Sequence, residues 1–583
     1  MSLTQNRSLR LSDLHEKRLK IIQYCFLLAG VFIVLRLGYL QIVQYGFYAF
    51  MASDQHDVQT KLIPTRGQIL VRDKSDGTLR VLATNRLSWQ VYAVPKEMHD
   101  AVDTAHQLAQ ILGLPDVDVV TQITKDLNDP YEKIADDVDQ DTVDKLKAAK
   151  LEGIGYVKSN ARFYPESNMS GQLIGFVGQD ANGQPAGKYG IEASYNDLLA
   201  GSSGELLAEK DASGRRIAVG LMDMKQATPG ADIVLTIDPA IQYQACLTIQ
   251  NAVRGHVADS GTIVIMQPYT GAVLAMCSFP DFDPAQYGKT RDIAVFNNPA
   301  TFDPYEPGSI FKAFTLAAGL DAGKIGVNTT YDDKGFEKID DFTIKNSDGK
   351  AHGTKTMTQV LEESLNTGTI FVERLLGREA FRKYLINFGF GQKTNVGLTP
   401  EAKGTIASMD KSGEIYAATA SFGQGITMTP IQLTAGYAAL ANGGLLMKPY
   451  IVDEIIYADG RREKTKPVEI GRPITQRTSR LISGMLVSVV ENGHGKRAGV
   501  PGYWVAGKTG TAQVPKKNGL GYESDITIGS FAGYAPASDP KFAMLIEIVH
   551  PRDVEWAESS AAPVFGDMAK FLLTYLEVPP ERK

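Results

Sequence analysis

The stretch that decides how this chain is interpreted is Glu306-Pro307-Gly308-Ser309-Ile310-Phe311-Lys312. Its Pro-Gly pair interrupts whatever precedes it and the residues that follow favour a helix, so the pattern predicts that Ser309 lies in the first turn of a helix. Residues three apart share one helix face, which would place the amine of Lys312 beside the hydroxyl of Ser309. A hydroxyl beside an amine of lowered pKa can act as a nucleophile. By itself, however, Ser-x-x-Lys is more typical of an exposed helix start with a solvated lysine.

Two further motifs follow this stretch in the chain. Ser364-Leu365-Asn366 comes directly after a predicted helix, and Lys508-Thr509-Gly510-Thr511 comes after a strand-like segment at residues 503–507. Taken singly, each motif is more typical of a surface loop. In this order, however, Ser-x-x-Lys, Ser-x-Asn and Lys-Thr-Gly are the three motifs shared by penicillin-binding proteins and serine β-lactamases.

The segments around the three motifs predict a sheet-and-helix domain. Residues 262–266 and 272–276 form one apolar hairpin pattern, and residues 529–535 and 541–549 form a second. Helical segments lie between the hairpins, and a last helix is predicted near residues 564–576. The sequence therefore predicts an α+β domain over residues 238–583, with an antiparallel sheet flanked by helices.

An uncharged apolar run near the N-terminus predicts a transmembrane helix over residues 21–43, interrupted only by Arg36. Such a run is long enough to cross a bilayer, which takes about 20 residues. Basic residues precede the run and the positive-inside rule then places residues 1–20 in the cytoplasm, with the rest of the chain outside. A cleaved signal peptide and a buried core helix are the less favoured alternatives. Arg36 is expected to reach the interface or to meet a polar group on a neighbouring helix.

Residues 44–237 form a mixed segment with no motif whose chemistry can be named. Helical patterns at residues 101–112 and 141–151 alternate with short extended ones, and residues 66–70 with residues 82–85 predict a hairpin. Without a cluster of titratable groups, the preferred interpretation is a mixed α/β pedestal that positions the domain after it.

Composition excludes several other functions. The net charge of −6 over 583 residues gives no basic footprint for nucleic acid. The chain has neither Cys-x-x-Cys nor His-Glu-x-x-His, so no metal site and no cofactor are predicted. Cys25 falls in the membrane run, while Cys246 and Cys277 lie outside it. Those two are expected to be small buried apolar residues, and a disulfide between them is a less favoured possibility.

The whole chain resembles a class B penicillin-binding protein, the family of serine D,D-transpeptidases that cross-link peptidoglycan. Further segments carry this resemblance in the catalytic domain: Thr270-Gly271 with Leu274-Ala275-Met276, Ser421-Phe422-Gly423-Gln424-Gly425, Thr429-Pro430-Ile431-Gln432, Ala441-Asn442-Gly443-Gly444 and Gly533-Tyr534-Ala535-Pro536. Arg66-Gly67 and Gly190-Ile191-Glu192 resemble the family's N-terminal pedestal, also called its dimerisation domain. The segment at residues 493–498 is a less regular version of the family's Gly-rich loop before Lys-Thr-Gly.

The resemblance implies a role for each residue of the first two motifs. Ser309 would attack the penultimate D-alanine of a stem peptide, form an acyl-enzyme and release the terminal D-alanine. Lys312 would accept the serine proton, which requires a lowered pKa. Ser364 would carry a proton towards the leaving amine, and Asn366 would hold Lys312 and the substrate amide.

The Lys-Thr-Gly motif is implied to bind the donor peptide. Lys508 and Thr509 would hold the substrate carboxylate, and Gly510 would let the peptide backbone approach the strand edge. The backbone N–H groups of Ser309 and Thr511 would form the oxyanion hole. The acceptor amine of a second stem peptide would then resolve the acyl-enzyme, and β-lactams would act as inhibitors.

Within the family, the short N-terminal tail, the size of the pedestal and the lack of added C-terminal repeats favour the septal, division-type branch. The elongation-type branch is the second choice, and a serine β-lactamase or an inactive division scaffold is less favoured. The expected location is the plasma membrane at the division septum. The expected partners are division proteins, among them a polytopic glycan polymerase of the SEDS family, with the contact placed near Arg36. No glycosyltransferase domain precedes the pedestal, so this chain is not expected to polymerise glycan.

Overall fold

The structure is a computed structural model of the chain. It describes residues 5–44, 57–62, 64–74, 76–165, 171–181, 183–209, 222–516 and 521–582. The chain forms two compact units, one from Met1–Pro64 with Ser202–Thr228 and one from Thr65–Gly201 with Pro229–Lys583.

The helices alternate with strands along the chain. Their bounds are α1 Gln5–Gly38, α2 Ala101–Leu112, α3 Asp116–Thr124, α4 Gln140–Ala149, α5 Gly171–Ile174, α6 Gly190–Ser194, α7 Asn196–Ala200, α8 Pro239–Gly255, α9 Pro299–Phe302, α10 Lys312–Asp321, α11 Met357–Glu362, α12 Asn366–Leu376, α13 Arg378–Asn387, α14 Glu414–Ala420, α15 Pro430–Ala441, α16 Gln476–Asn492 and α17 Ala561–Tyr575.

The strands build one large mixed sheet, one antiparallel sheet of five strands and several small sheets. Their bounds are β1 Asp57–Leu62, β2 Ile69–Arg72, β3 Leu79–Ala93, β4 Glu132–Val138, β5 Ile154–Phe163, β6 Phe176–Gln179, β7 Pro185–Lys188, β8 Gly204–Glu209, β9 Met222–Lys225, β10 Asp232–Leu235, β11 Ser260–Met266, β12 Val273–Phe279, β13 Thr330–Asp333, β14 Phe336–Ile339, β15 Phe342–Lys345, β16 Gly353–Thr356, β17 Leu446–Met447, β18 Val452–Ile456, β19 Arg462–Lys464, β20 Glu469–Gly471, β21 Ala506–Pro515, β22 Tyr522–Ala535 and β23 Phe542–Val549.

The smaller unit contains the predicted membrane helix. Helix α1 continues into a π-helical turn at Tyr39–Val43, and together they carry one segment, Lys20–Ile42, that is long and apolar enough to cross a membrane. The guanidinium of Arg36 lies 5.6 Å from the centre of the Tyr39 ring, so this cation meets an aromatic face one turn along the chain. The same unit holds a three-stranded antiparallel sheet in the order β1-β8-β9.

The seven-stranded sheet in the larger unit joins distant parts of the sequence. Its main order is β19-β18-β10-β2-β3-β4, and β5 also pairs with β3. The predicted hairpin at residues 66–85 is present, with β2 antiparallel to β3. Strand β10 pairs with β2 on one side and with β18 on the other. The expected domain boundary at residue 237 thus follows β10, but two strands from the C-terminal half complete the pedestal sheet.

A buried ion network gives a structural role to Arg66 and Glu192, which the sequence analysis noted only through the family resemblance. Glu192 is fully buried, and its carboxylate contacts Arg66 and Arg162 at 2.6 Å each. Arg66 also donates to Asn196 Oδ1, and Arg162 donates to the carbonyl of Gly67. A buried carboxylate needs such partners because an unpaired buried charge costs several kcal/mol. The network therefore ties three remote segments of the pedestal together.

The five-stranded antiparallel sheet has the order β12-β11-β23-β22-β21. Both predicted hairpins are present, as β11 with β12 and as β22 with β23. Side chains alternate between the two faces of β11, so Ile263 and Ile265 pack with α8 and α17 while Val264 and Met266 pack with α10 and α15. The predicted α+β class, an antiparallel sheet flanked by helices, is confirmed.

The structure corrects the interpretation of Cys246 and Cys277. Cys246 on α8 and Cys277 on β12 form a disulfide, with their Cα atoms 5.3 Å apart. Helix α8 packs across β12, which brings together two cysteines separated by 31 residues. Cys277 is buried and Cys246 is half-buried, and the disulfide that the sequence analysis ranked as less favoured is present.

Candidate active site

The nucleophile turn is fixed from several sides. Residues Gly308–Phe311 form a 3₁₀ turn that leads into α10 at Lys312, so Ser309 lies in the first turn as predicted. Gly308 has a φ of 55°, a left-handed conformation that glycine adopts at low cost. Its N–H donates to the carbonyl of Gly423, and the Tyr437 hydroxyl donates to the Ile310 carbonyl at 2.7 Å. The turn is therefore held rigidly before any substrate arrives.

Glu306 also supports this turn, and sequence reasoning gave it no role. Its carboxylate accepts hydrogen bonds from the N–H of Gly425 and from the Tyr522 hydroxyl. Burial raises the pKa of Glu306, although these two bonds lower it. Residues 421–425, which the sequence analysis identified only through the family resemblance, thus supply hydrogen-bond partners to the residues around Ser309.

Lys312 is fully buried behind the nucleophile turn. Burial lowers the pKa of Lys312 well below its ordinary value, and the positive charge of Lys508 lowers it further. A neutral amine is what a general base requires. In the described structure the hydrogen bonds of Lys312 Nζ go to the Ser364 carbonyl and, at 3.2 Å, to Ser364 Oγ. The direct contact with Ser309 expected from the spacing is not among them.

The Ser-x-Asn motif lies at the junction of α11 and α12. Ser364 has a φ of 56°, which is uncommon for a residue with a side chain and marks a locally strained backbone. This conformation turns both its carbonyl and its hydroxyl to Lys312. Asn366 donates through Nδ2 to the Lys345 carbonyl at 2.8 Å. The contact between Asn366 and Lys312 that the resemblance implied is not among the hydrogen bonds of Lys312 Nζ, which go to Ser364.

The Lys-Thr-Gly motif lies on β21, the terminal strand of the five-stranded sheet. Lys508 is fully buried, and its Nζ donates to the carbonyl of Thr509 at 3.0 Å and to its hydroxyl at 3.3 Å. Burial lowers the pKa of Lys508 to about 7, against an opposing effect of Glu558. A terminal strand leaves one backbone edge open, so an extended peptide can add to it.

The structure gives a different reason for the glycine of this motif. A Cβ at Gly510 would lie 2.9 Å from Ile310 Cγ2 and 3.0 Å from the Pro307 carbonyl oxygen. It would also lie 3.0 Å from Ser530 Oγ. Residue 510 must therefore be glycine because β21 packs directly on the nucleophile turn, and not simply because a substrate must approach.

One cavity of about 540 Å³ brings the motifs together. Ser309, Ser364, Thr509 and Thr511 line it. Lys312 and Lys508 are not among the lining residues, but each is buried and donates to one of them, Lys312 to Ser364 and Lys508 to Thr509. Sequence reasoning missed the other polar and aromatic residues of the lining: Ser347, Asp348, His352, Glu363, His494, Trp556 and Glu558. His494 lies in the segment 493–498 that the family resemblance had already indicated, although no role was assigned to it. Glu363 caps the end of α11, and the other residues lie in loops without a recognisable spacing, so no local pattern could have identified them.

The histidines and carboxylates missed by the sequence analysis contact one another at the cavity wall. His352 contacts Asp348 through Nε2 at 3.0 Å and Glu363 through Nδ1 at 2.9 Å. His494 contacts Glu558 at 2.9 Å on another part of the lining. Among the described residues, no group of three or more His, Cys, Asp or Glu side chains is arranged to hold a metal ion.

The arrangement is suited to acyl transfer. A rigid helix start presents the Ser309 hydroxyl, a buried amine of lowered pKa lies behind it, and that amine donates to the hydroxyl of Ser364. The first N–H groups of a helix have no partner within the helix, so the Ser309 N–H is available to an oxyanion.

Comparison with known proteins agrees with this geometry. Residues 261–570 match the penicillin-binding protein transpeptidase domain, and residues 61–235 match the penicillin-binding protein dimerisation domain. The chain belongs to the penicillin-binding protein transpeptidase family. The resemblance predicted from the sequence motifs is thereby confirmed.

Individual family members match this penicillin-binding protein over nearly its whole length. Stage V sporulation protein D of Bacillus subtilis is 34% identical and covers 95% of this chain and 86% of that protein. Peptidoglycan D,D-transpeptidase FtsI of Escherichia coli is 30% identical, and the alignment covers 96% of this chain and 91% of that protein. Penicillin-binding protein 3 of Mycobacterium tuberculosis, solved with aztreonam, is 27% identical, has a TM-score of 0.69 and covers 89% of this chain and 98% of that chain.

Proposed function

We propose that this penicillin-binding protein is a membrane-anchored peptidoglycan D,D-transpeptidase that acts through an acyl-enzyme on Ser309. The observation that carries the proposal is the cavity in which Ser309, Ser364 and the edge of β21 meet, with Lys312 buried beside them and its pKa lowered by that burial. The family membership and the transpeptidase names of its relatives support the same reaction.

In the first half of the reaction, Ser309 Oγ attacks the carbonyl of the penultimate D-alanine of a donor stem peptide. Lys312 accepts the serine proton, because burial and the positive charge of Lys508 lower the pKa of its amine well below the ordinary value and favour the unprotonated form. The N–H groups of Ser309 and Thr511 stabilise the oxyanion, and each such donor is worth about 3 kcal/mol. Ser364 passes a proton from Lys312 to the departing amine, so the terminal D-alanine leaves and an ester on Ser309 remains.

In the second half, the amine of an acceptor stem peptide attacks this ester. The new amide bond forms as the bond to Ser309 Oγ breaks, and the serine recovers its proton through Ser364 and Lys312. Asn366 holds the amide of the bound substrate through the amide atoms that its contact with Lys345 leaves free.

The Lys-Thr-Gly strand binds the donor. The donor peptide adds to the free edge of β21, and the hydroxyls of Thr509 and Thr511 face it from the cavity wall. Lys508 is too deeply buried to be the main contact for the substrate carboxylate. Its charge instead acts on that carboxylate through Thr509 and on Lys312 directly.

We place this activity in the septal wall, outside the plasma membrane, with the N-terminus in the cytoplasm. The apolar segment Lys20–Ile42 supports a single membrane anchor, and the partner in the membrane is a SEDS-family glycan polymerase. A role in wall synthesis during sporulation is the second candidate, because one relative at 34% identity is named as a sporulation protein.

Two experiments test these proposals. Membranes labelled with a fluorescent penicillin should show a long-lived covalent adduct on this chain, whereas a β-lactamase would release the label rapidly and an inactive scaffold would not be labelled. Depletion of the protein should produce filamentous cells. Rounded cells would indicate the elongation-type role, and normal growth with defective spores would favour the second candidate.

A further inference from the structure

A buried carboxylate outside the three motifs organises one rim of the active site. Asp333 ends β13 and is only 2% exposed. Its oxygens accept hydrogen bonds from the Thr367 hydroxyl at 2.7 Å, from Asn346 Nδ2 at 2.9 and 3.1 Å, and from the N–H groups of Gly335 and His352 at 3.0 Å each. One side chain thus holds groups from four separate points of the fold.

Two of these partners flank the contact that orients the Ser-x-Asn motif. Asn366 donates to the carbonyl of Lys345. Thr367 follows Asn366 in the chain, and Asn346 follows Lys345. Asp333 therefore accepts hydrogen bonds from the residue that follows each partner of the Asn366–Lys345 hydrogen bond. The N–H of Thr367 also donates to Asn346 Oδ1 at 3.3 Å, which closes the same ring of contacts.

We infer that Asp333 is a positioning residue for Asn366, acting by fixing the helix start and the loop between which the Asn366 amide is held. The inference rests on the role proposed above for Asn366 in binding the substrate amide. The rival explanation is that Asp333 only stabilises the loop and has no effect on Asn366 beyond a general loss of stability.

The chemistry of the ring favours a carboxylate at this position. All four partners donate, so both oxygens of residue 333 must accept. Burial alone would raise the pKa of Asp333, but the hydrogen bonds from Thr367, Gly335, Asn346 and His352 hold it below its ordinary value. Asparagine has the same shape, yet its NH₂ group would face the N–H of His352 or the other donors. Asp333→Asn should therefore open the ring while changing little volume.

The test is a double-mutant cycle on the acylation rate of the full chain, in detergent, with a fluorescent benzylpenicillin. Asp333→Asn and Asn366→Ala are each expected to slow acylation at least about tenfold. If Asp333 acts through Asn366, the acylation rate of the double variant should be within about twofold of the rate of Asn366→Ala alone. Losses that multiply in the double variant, or normal acylation by Asp333→Asn, would overturn the inference.

A second readout separates positioning from loss of stability. An amide contact matters for benzylpenicillin but not for 6-aminopenicillanic acid, which lacks the acyl side chain. Asp333→Asn should therefore lose the preference for benzylpenicillin to the same extent as Asn366→Ala. Equal slowing of both compounds would support the purely structural explanation. If Asn366→Ala itself acylates normally, the proposed role of Asn366 fails and this inference fails with it.

Matched variants complete the design. Thr367→Val removes one hydrogen bond to Asp333 with little change of shape, so it keeps the test available if Asp333→Asn does not fold. In the Asn366→Ala background, Thr367→Val should cause no further loss of acylation rate. Asp238→Asn is the control. Asp238 is equally buried and accepts from Ala240, Ile241 and Tyr575, at a helix start that does not contact the Ser-x-Asn motif. Its substitution should leave both the acylation rate and the preference for benzylpenicillin unchanged.

Discussion

The buried lysine pair is the central feature of the site at the scale of single residues. A full positive charge on Lys312 would be expensive because the side chain is completely buried. Its lowered pKa is therefore a consequence of the fold, and the second lysine reinforces it. The same burial that costs stability prepares Lys312 for the role of general base proposed above.

Substitution of Lys312 tests the base assignment. Arginine keeps a charge but cannot become neutral, since its pKa lies above about 12, and methionine keeps the length without a base. Both variants should lose acylation by at least about 100-fold, measured by stopped-flow with a reporter β-lactam. Lys312→Met should keep the melting temperature, whereas Lys312→Arg should lower it because a permanent charge becomes buried. Acylation by Lys312→Met within tenfold of wild type would move the base to another group.

Lys508→Met tests the coupling between the two lysines. Lys508 is a positive neighbour that disfavours protonation of Lys312, so its removal should raise the pKa of Lys312. The acid limb of the acylation rate against pH should then shift to higher pH. Lys383→Met, at an exposed lysine, is the control and should leave the profile in place. An acid limb that stays fixed or moves to lower pH in Lys508→Met would contradict the coupling.

At the scale of elements, the five-stranded sheet carries a polar row behind the active site. Gly510 pairs with Ser530, Ser530 with Glu547, and Glu547 with Thr262, so these residues lie side by side on one face. Burial, with a smaller contribution from Asp303, raises the pKa of Glu547 to about 8. The folded protein thus holds a proton on Glu547 at neutral pH.

This proton makes a prediction about stability. The pKa of Glu547 rises from its ordinary value of 4.5 in the unfolded chain to about 8 in the fold, so the folded state binds more protons across that window. Stability from this group is fully present below pH 4.5 and is lost as pH rises through about 8. Glutamine does not titrate, so Glu547→Gln should not lose stability as pH rises. Between about pH 5 and about pH 8, its free energy of unfolding should therefore increase by roughly 2 to 4 kcal/mol relative to that of wild type.

The measurement is the melting temperature at fixed scan rate across this range of pH. Glu379→Gln, at an exposed glutamate of α13, should follow the wild-type profile. A constant difference in melting temperature between Glu547→Gln and wild type at every pH would show that Glu547 does not change its protonation on folding.

The elements were largely predictable because their patterns are local. The hairpins of the five-stranded sheet, the helix that starts after Asp238 and the first-turn position of Ser309 all follow from residue spacing and capping. The orientation of Asn366 was not predictable, because Lys345 lies at a strand end with no pattern that links it to the motif. The disulfide was not predictable either, because it depends on the packing of α8 on β12, and the separation of Cys246 and Cys277 in the sequence does not indicate that packing.

At the scale of the whole molecule, the membrane anchor is separate from the chemistry. The lining of the active-site cavity comes entirely from residues 309–558, and the apolar segment Lys20–Ile42 belongs to the other compact unit. A chain that begins at Ala49 should therefore be soluble without detergent and should react with penicillin within about threefold of the full chain. A folded circular-dichroism spectrum with no acylation would show that the helix contributes to the catalytic domain.

The central claim is that Ser309 carries an acyl group from a donor peptide to an amine. The most direct test incubates the full chain with a synthetic stem peptide ending in D-Ala-D-Ala and a fluorescent D-amino acid as acceptor, with intact-protein and peptide mass spectrometry as the readout. Wild type should exchange the terminal D-alanine for the acceptor and should carry the transient acyl group on the peptide that contains Ser309, while Ser309→Ala should do neither. Exchange by Ser309→Ala, or an acyl group on any other residue, would contradict the account.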